Sequence, residues 1–187
     1  MNLSRMIPSF LRPARKKTPT MLQMEATECG AASLGMILAY YGRYEPLEKL
    51  RAECGVSRNG SKASLILKAA RGYHLDAKGY RVLTEHLDEL EGPLILFWNF
   101  EHFVVYEGHS RNGKYFYLND PATGPRVVDR ELFEKSYTGV ALEFRKTPEF
   151  RKGGRPLSVF RAMIPMISGM KSVMAAVVWG GLLLVIP

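Results

Sequence analysis

Residues 27–42 read Thr27-Glu28-Cys29-Gly30-Ala31-Ala32-Ser33-Leu34-Gly35-Met36-Ile37-Leu38-Ala39-Tyr40-Tyr41-Gly42. Ala32, Leu34, Ile37, Leu38 and Tyr41 recur near helical spacing, and Gly42 supplies a stop. The pattern predicts a helix over Cys29–Tyr41 that opens on a cysteine. Downstream, Pro46–Cys54 suits a short helix, with Pro46 in the first turn and Gly55 just past the end. Ser61–Arg71 suits a third, with Ser61 as N-cap and Gly72 at its close.

Beyond these the period changes. Pro93–Phe97 is a continuous apolar run, and His102–Glu107 and Lys114–Asn119 flank Arg111-Asn112-Gly113, an Asn-Gly hairpin signal. Pro125–Val128 and Val140–Phe144 read as further strands, and Asp129 caps a short helix running through Ser136. Helices first and strands afterwards imply an α+β fold, a helical layer packed on an antiparallel β-sheet.

The composition is globular, 47% hydrophobic and 24% charged over 187 residues. The net charge of +8 sits in the flanks. Residues 1–20 carry five basic residues and no acid, and residues 145–187 carry seven against Glu149. The body between them has 14 basic and 17 acidic residues. A nucleic-acid reader puts its basic charge on the folded body, so that class is disfavoured; basic flanks on an acidic body suit a membrane neighbour. Two cysteines, Cys29 and Cys54, suit a reducing compartment. No Cys-x-x-Cys pair is present and the four histidines are scattered, which argues against zinc.

Residues 1–19 read as a basic arm, disordered or lying on a surface, and 20–147 as the folded domain. Residues 148–156 read as a linker and 157–170 as an interfacial amphipathic helix. Residues 171–187 read as the start of a first transmembrane helix, because Val173–Pro187 has no charge. A buried C-terminal helix is the alternative. Basic residues ahead of the span place 1–155 in the cytoplasm.

Four residues carry the chemistry. Cys29 stands at a predicted helix N-terminus, where the helix end favours the nucleophilic thiolate; a buried structural cysteine is the plainer reading. Gly30 removes bulk where a substrate carbonyl approaches. Gln23, six residues upstream, is placed to curl back and donate to an oxyanion beside the Cys29 N–H, although a surface glutamine is the default. His102 opens a strand and is held rigidly, as a general base requires, or else is a partly buried strand histidine bonded to a neighbour. Asp120 ends the opposite hairpin strand, which brings it alongside His102 to fix the tautomer, or else serves as an Asp-Pro turn former. His74, His86 and His109 read as solvent-exposed.

The segment Thr20-Met21-Leu22-Gln23-Met24-Glu25-Ala26-Thr27-Glu28-Cys29-Gly30-Ala31-Ala32-Ser33-Leu34 resembles the start of the papain-like, double-glycine leader peptidase domain of bacteriocin- and lanthipeptide-exporting ABC transporters. His102-Phe103-Val104-Val105 and Leu118-Asn119-Asp120-Pro121-Ala122 match that family's histidine and aspartate motifs. The resemblance covers 20–147 and implies a cysteine endopeptidase that cuts after Gly-Gly or Gly-Ala, releasing a core peptide for ATP-driven export. It makes Cys29 nucleophile, His102 base, Asp120 orienter and Gln23 oxyanion donor. The implied partners are a precursor with an amphipathic helical leader, the lipid membrane and the rest of a transporter, homodimeric in full length, in a bacterial cell membrane. Candidate groove residues for the leader are Tyr40, Tyr41, Leu65, Ile66 and Ala69. The peptidase itself needs no cofactor; ATP and Mg belong to a nucleotide-binding domain expected beyond this chain.

Gly108-His109-Ser110-Arg111-Asn112-Gly113-Lys114 matches a phosphate-loop spacing, but Tyr115 replaces the required Ser or Thr and the context is a hairpin tip. Gly153-Gly154 reads as linker rather than as a self-cleavage site. Two rival functions remain, a papain-like acyltransferase and a leader-docking module that does not cut. A membrane-surface anchor using both basic flanks is a third.

Overall fold

Eleven residues of the first helix, from Cys29 to Ala39, are buried, so the run is apolar on every side because every side is covered. This helix, α1 (Cys29–Tyr40), is the core of the helical layer, with α2 (Leu47–Glu53) and α3 (Ala63–Gly72) packed against it. The computed structural model describes residues 15–58 and 60–156. The expected interfacial helix 157–170 and the transmembrane start 171–187 lie outside the described residues. Among the described residues no helix is long and apolar enough to cross a membrane.

Six strands follow: β1 (Leu75–Arg81), β2 (Leu94–Trp98), β3 (His102–His109), β4 (Tyr115–Asp120), β5 (Gly124–Asp129) and β6 (Tyr137–Lys146), with α4 (Arg130–Ser136) before the last. They form one antiparallel sheet in the order β1-β6-β2-β3-β4-β5. Alternation sorts its side chains to two faces. Phe103 and Val105 join Ile95, Leu142 and Phe144 beneath the helices, while Val104 and Tyr106 join Leu96, Phe116 and Leu118 on the opposite face. There α4 closes the second core, Phe133 stacking on Phe116 with ring centroids 4.0 Å apart.

Several expectations change. Strand β1 and a 3-10 helix at Thr84–Glu89 were not anticipated. Residue Lys62, not Ser61, is the N-cap of α3, and no side chain caps that helix. The last residues of the basic arm are not loose. Arg15 Nε lies 2.7 Å from Glu107 Oε2, and the Thr18 N–H and hydroxyl both donate to Glu107 Oε1. Asn119 Nδ2 in turn donates to the Thr18 carbonyl and hydroxyl oxygens. Thr18 is buried as a result.

The stretch read as a linker folds back over the helical layer. Phe150 packs edge-on to Tyr41, the Tyr44 N–H donates to Gly153 O at 2.8 Å, and the Gly153 N–H donates to Gly42 O. Residues through Gly154 form one compact unit, and Arg155–Pro187 is assigned to a second.

Candidate active site

The thiol is placed by α1. A single 3-10 turn, Ala26–Glu28, leads directly into the helix, and Cys29 is its first residue, a free cysteine 4% exposed. Ser33 lies one turn further on the same helix face and donates its hydroxyl to Phe103 O on β3. That bond fixes the Cys29 face of α1 against the strand that begins with His102. Gly30 has a different role from the one expected. A Cβ there would meet Ile66 Cδ1 at 2.7 Å and Ser61 Cβ at 3.0 Å, so the missing side chain lets α3 approach α1 rather than clearing space for a substrate carbonyl.

The sheet supplies the acid–base pair. Hairpin pairing of Val105 with Asn119 sets the end of β4 beside the start of β3. His102 Nε2 and Asp120 Oδ1 are 2.8 Å apart. Asp120 is also held by the Ala122 N–H on Oδ1 at 2.9 Å and by Arg126 Nη1 on Oδ2 at 3.1 Å. Burial opposes its charge, but the bonds from His102 and the Ala122 N–H, with Arg126 nearby, hold the carboxyl below its usual range.

For His102 burial disfavours the imidazolium. Hydrogen bonds to Asp120 and to Cys29, and the charge of both, outweigh it and raise the imidazole to about 9. With Nε2 engaged by the carboxylate, Nδ1 is the nitrogen left for the thiol. Three groups read from the sequence therefore converge, and a fourth support, Arg126, was missed. Its only sequence signal is its place on the strand after the Asp-Pro turn.

Gln23 comes near through its backbone, its N–H donating to Pro121 O at 2.9 Å. Its side-chain Oε1 is buried with no hydrogen-bond partner. A cleft of about 260 Å³ opens at Cys29. Ala26, Thr27, Gly60 and Ser61 line it together with Phe97, Phe100, Glu101 and Phe103. The aromatic residues escaped sequence reading because they also look like ordinary core.

The five groove candidates separate. Leu65 and Ala69 line a second cleft of about 390 Å³ between α2 and α3, with Arg43, Lys49, Lys68 and Tyr73. Ile66 is fully buried in the core and offers no surface to a ligand. Tyr40 and Tyr41 do not line that cleft; the Tyr41 hydroxyl donates to Phe144 O. Of the other histidines, His74 and His86 are exposed, whereas His109 is half-buried between Tyr106 and Asp88. The Gly108–Lys114 run is the β3–β4 hairpin tip, a strand-turn-strand context that builds no phosphate cradle. Cys54 is a buried core thiol, pushed up to about 12 by desolvation.

A cysteine at the start of a buried helix, facing a histidine–carboxylate pair from an antiparallel sheet, defines a papain-like cysteine peptidase. Residues 17–149 match the Peptidase C39 family, and the chain belongs to it. It is similar to a double glycine motif protease from an AMS/PCAT transporter, solved by crystallography in complex with the leader peptide. That likeness has 53% identity and a TM-score of 0.70, over 73% of this chain and 96% of the other. The peptidase domain of Streptococcus ComA shares the fold at 21% identity, TM-score 0.65, over 71% of this chain and 99% of that one. The colicin V secretion/processing ATP-binding protein of Escherichia coli is 32% identical over 164 residues, 87% of this chain. The chain spans 23% of the length of that relative.

Proposed function

We propose that this domain removes leader peptides from ribosomally made precursors of the bacteriocin or lanthipeptide kind, cutting after Gly-Gly or Gly-Ala. The observation that carries the reading is the 2.8 Å His102–Asp120 bond set against the Cys29 thiol in the lining of a cleft. The 53% identity to a double glycine motif protease supports the substrate class.

In this mechanism Cys29 Sγ attacks the carbonyl carbon of the last leader residue. The oxyanion is met by the Cys29 N–H and the Gln23 amide. His102 passes a proton to the departing nitrogen, the C–N bond breaks, and a leader thioester remains on Cys29. A water that His102 deprotonates then releases the leader carboxylate and restores the thiol. Asp120 holds the ring orientation throughout. The leader lies along the cleft lined by Leu65 and Ala69, and its apolar face meets those residues.

By analogy with relatives four times its length, the domain works on the cytoplasmic side of a bacterial membrane, within a homodimeric exporter. ATP and Mg act in a nucleotide-binding domain of that exporter.

The test incubates residues 1–154 with a leader–core peptide bearing Gly-Gly, under reductant, beside Cys29→Ala. A single cut after the second glycine, lost in the variant with leader affinity kept, is expected. An intact peptide that still binds would leave a docking module. Turnover only with an added amine acceptor would make the domain an acyltransferase.

A further inference from the structure

The turn between β2 and β3 breaks a local rule. Asn99 and Phe100 have φ of 50° and 59°, and the Glu101 N–H donates to Trp98 O at 3.2 Å, a tight turn with positive φ at both central positions, as in type I′ turns. Such turns favour Asn-Gly, because the second position suits a residue without a side chain. Asn99 fits. Phe100 does not, since an aromatic residue in the left-handed region is strained.

The ring gains little from burial in return, because Phe100 is 80% exposed. It touches Phe97 edge to face, with centroids 6.4 Å apart, and both line the cleft that holds Cys29. The turn is pinned from behind by the Asn99 N–H donating to Ser136 O, at the end of α4. Strain kept at a cleft and braced from outside marks a residue retained for what it does there.

We propose that Phe100 is the specificity-determining wall of the cleft, its ring occupying the space into which a side chain on either of the last two leader residues would extend. This rests on the peptidase reading above. Thr27, Gly60 and Ser61 line the same cleft, and Ser61 Oγ is buried with no hydrogen-bond partner. An extended backbone without side chains fits between the ring and that hydroxyl. A β-branched residue must displace one of them.

The test measures kcat/KM of the 187-residue chain on a Gly-Gly leader–core peptide and on peptides with valine at each of the last two leader positions in turn. Wild type, Phe100→Gly and Phe100→Tyr are compared, with thermal midpoints. Phe100→Gly is expected to cut at the same bond, to lose discrimination against at least one valine peptide by about tenfold or more, and to hold or raise its midpoint. Phe100→Tyr is expected to keep the wild-type ratio. An unchanged ratio in Phe100→Gly overturns the proposal, and an unchanged ratio with a lowered midpoint makes Phe100 a packing residue. No cleavage by wild type overturns the peptidase reading itself and this one with it.

Discussion

Arg51 on α2 places its Nη1 2.8 Å from Oε1 of Glu28, the residue immediately before Cys29. Glu28 is fully buried, and its other oxygen accepts the N–H groups of Met24 and Glu25 at 2.6 and 2.9 Å. One carboxylate thus folds the loop that carries Gln23 and ties it to the helical layer. Glu28→Ala is expected to cost about 2 kcal/mol by denaturant melting and to lower kcat more than it raises KM. A change confined to stability would make Glu28 a structural anchor only.

The His102–Asp120 pair sets a pH dependence. His102 is raised from 6.5 to about 9, so its contribution to stability is complete below pH 6.5 and is lost as pH rises through about 9. Asp120 is lowered from 3.8, so its contribution holds above pH 3.8 and is lost as pH falls through its depressed value. Proton NMR of the His102 ring is expected to give a midpoint near 9. In Asp120→Asn the midpoint should drop toward 6.5, because the largest raising influence is removed. A midpoint that stays near 9 would show that Cys29 alone sustains the imidazolium.

At Gly30 two effects compete. Alanine in a helix gains up to about 1 kcal/mol over glycine. Here its Cβ would press on Ile66 and Ser61, and overpacking costs about 1–3 kcal/mol. Ile66 is fully buried and has little room to yield. Gly30→Ala is therefore expected to be destabilised by about 1 kcal/mol net, read as a lowered thermal midpoint. A rise would mean that α3 moves away freely.

Thr18→Val keeps the side-chain shape but removes the hydroxyl shared by Glu107 and Asn119. The expected loss is about 1–2 kcal/mol, measured by urea unfolding. An unchanged midpoint would show that the backbone bonds of the arm suffice.

The parts of this fold legible in the sequence are those whose local signal agrees with the final contacts. The α1 run and the Asn112-Gly113 hairpin are of this kind, and the hairpin signal alone sets Asp120 beside His102. Strand β1 was not legible. Leu75-Asp76-Ala77-Lys78-Gly79-Tyr80-Arg81 is poor in strand formers and mostly exposed beyond Ala77, and it becomes a strand through pairing with distant β6. The Ser61 cap failed because α3 starts one residue later, with Lys62 as N-cap, and Ser61 Oγ is buried with no hydrogen-bond partner. Cys29, His102 and Asp120 were read as a set because motif and chemistry coincide, and the structure brings those three side chains together, whereas Gln23 comes near through its backbone. The aromatic wall was hidden because strain at Phe100 is a property of backbone angles, which residue type does not reveal.

Gly153 is hydrogen-bonded beside Gly42, just past the last turn of α1, whereas Cys29 stands at its first. At 1.5 Å per residue the helix separates these points by roughly 18 Å. The domain is thus polar in the sense that a tool is: handle at one end, edge at the other. The Gly42–Gly153 anchor therefore sits clear of the cutting edge, and an incoming peptide meets the thiol without crossing it.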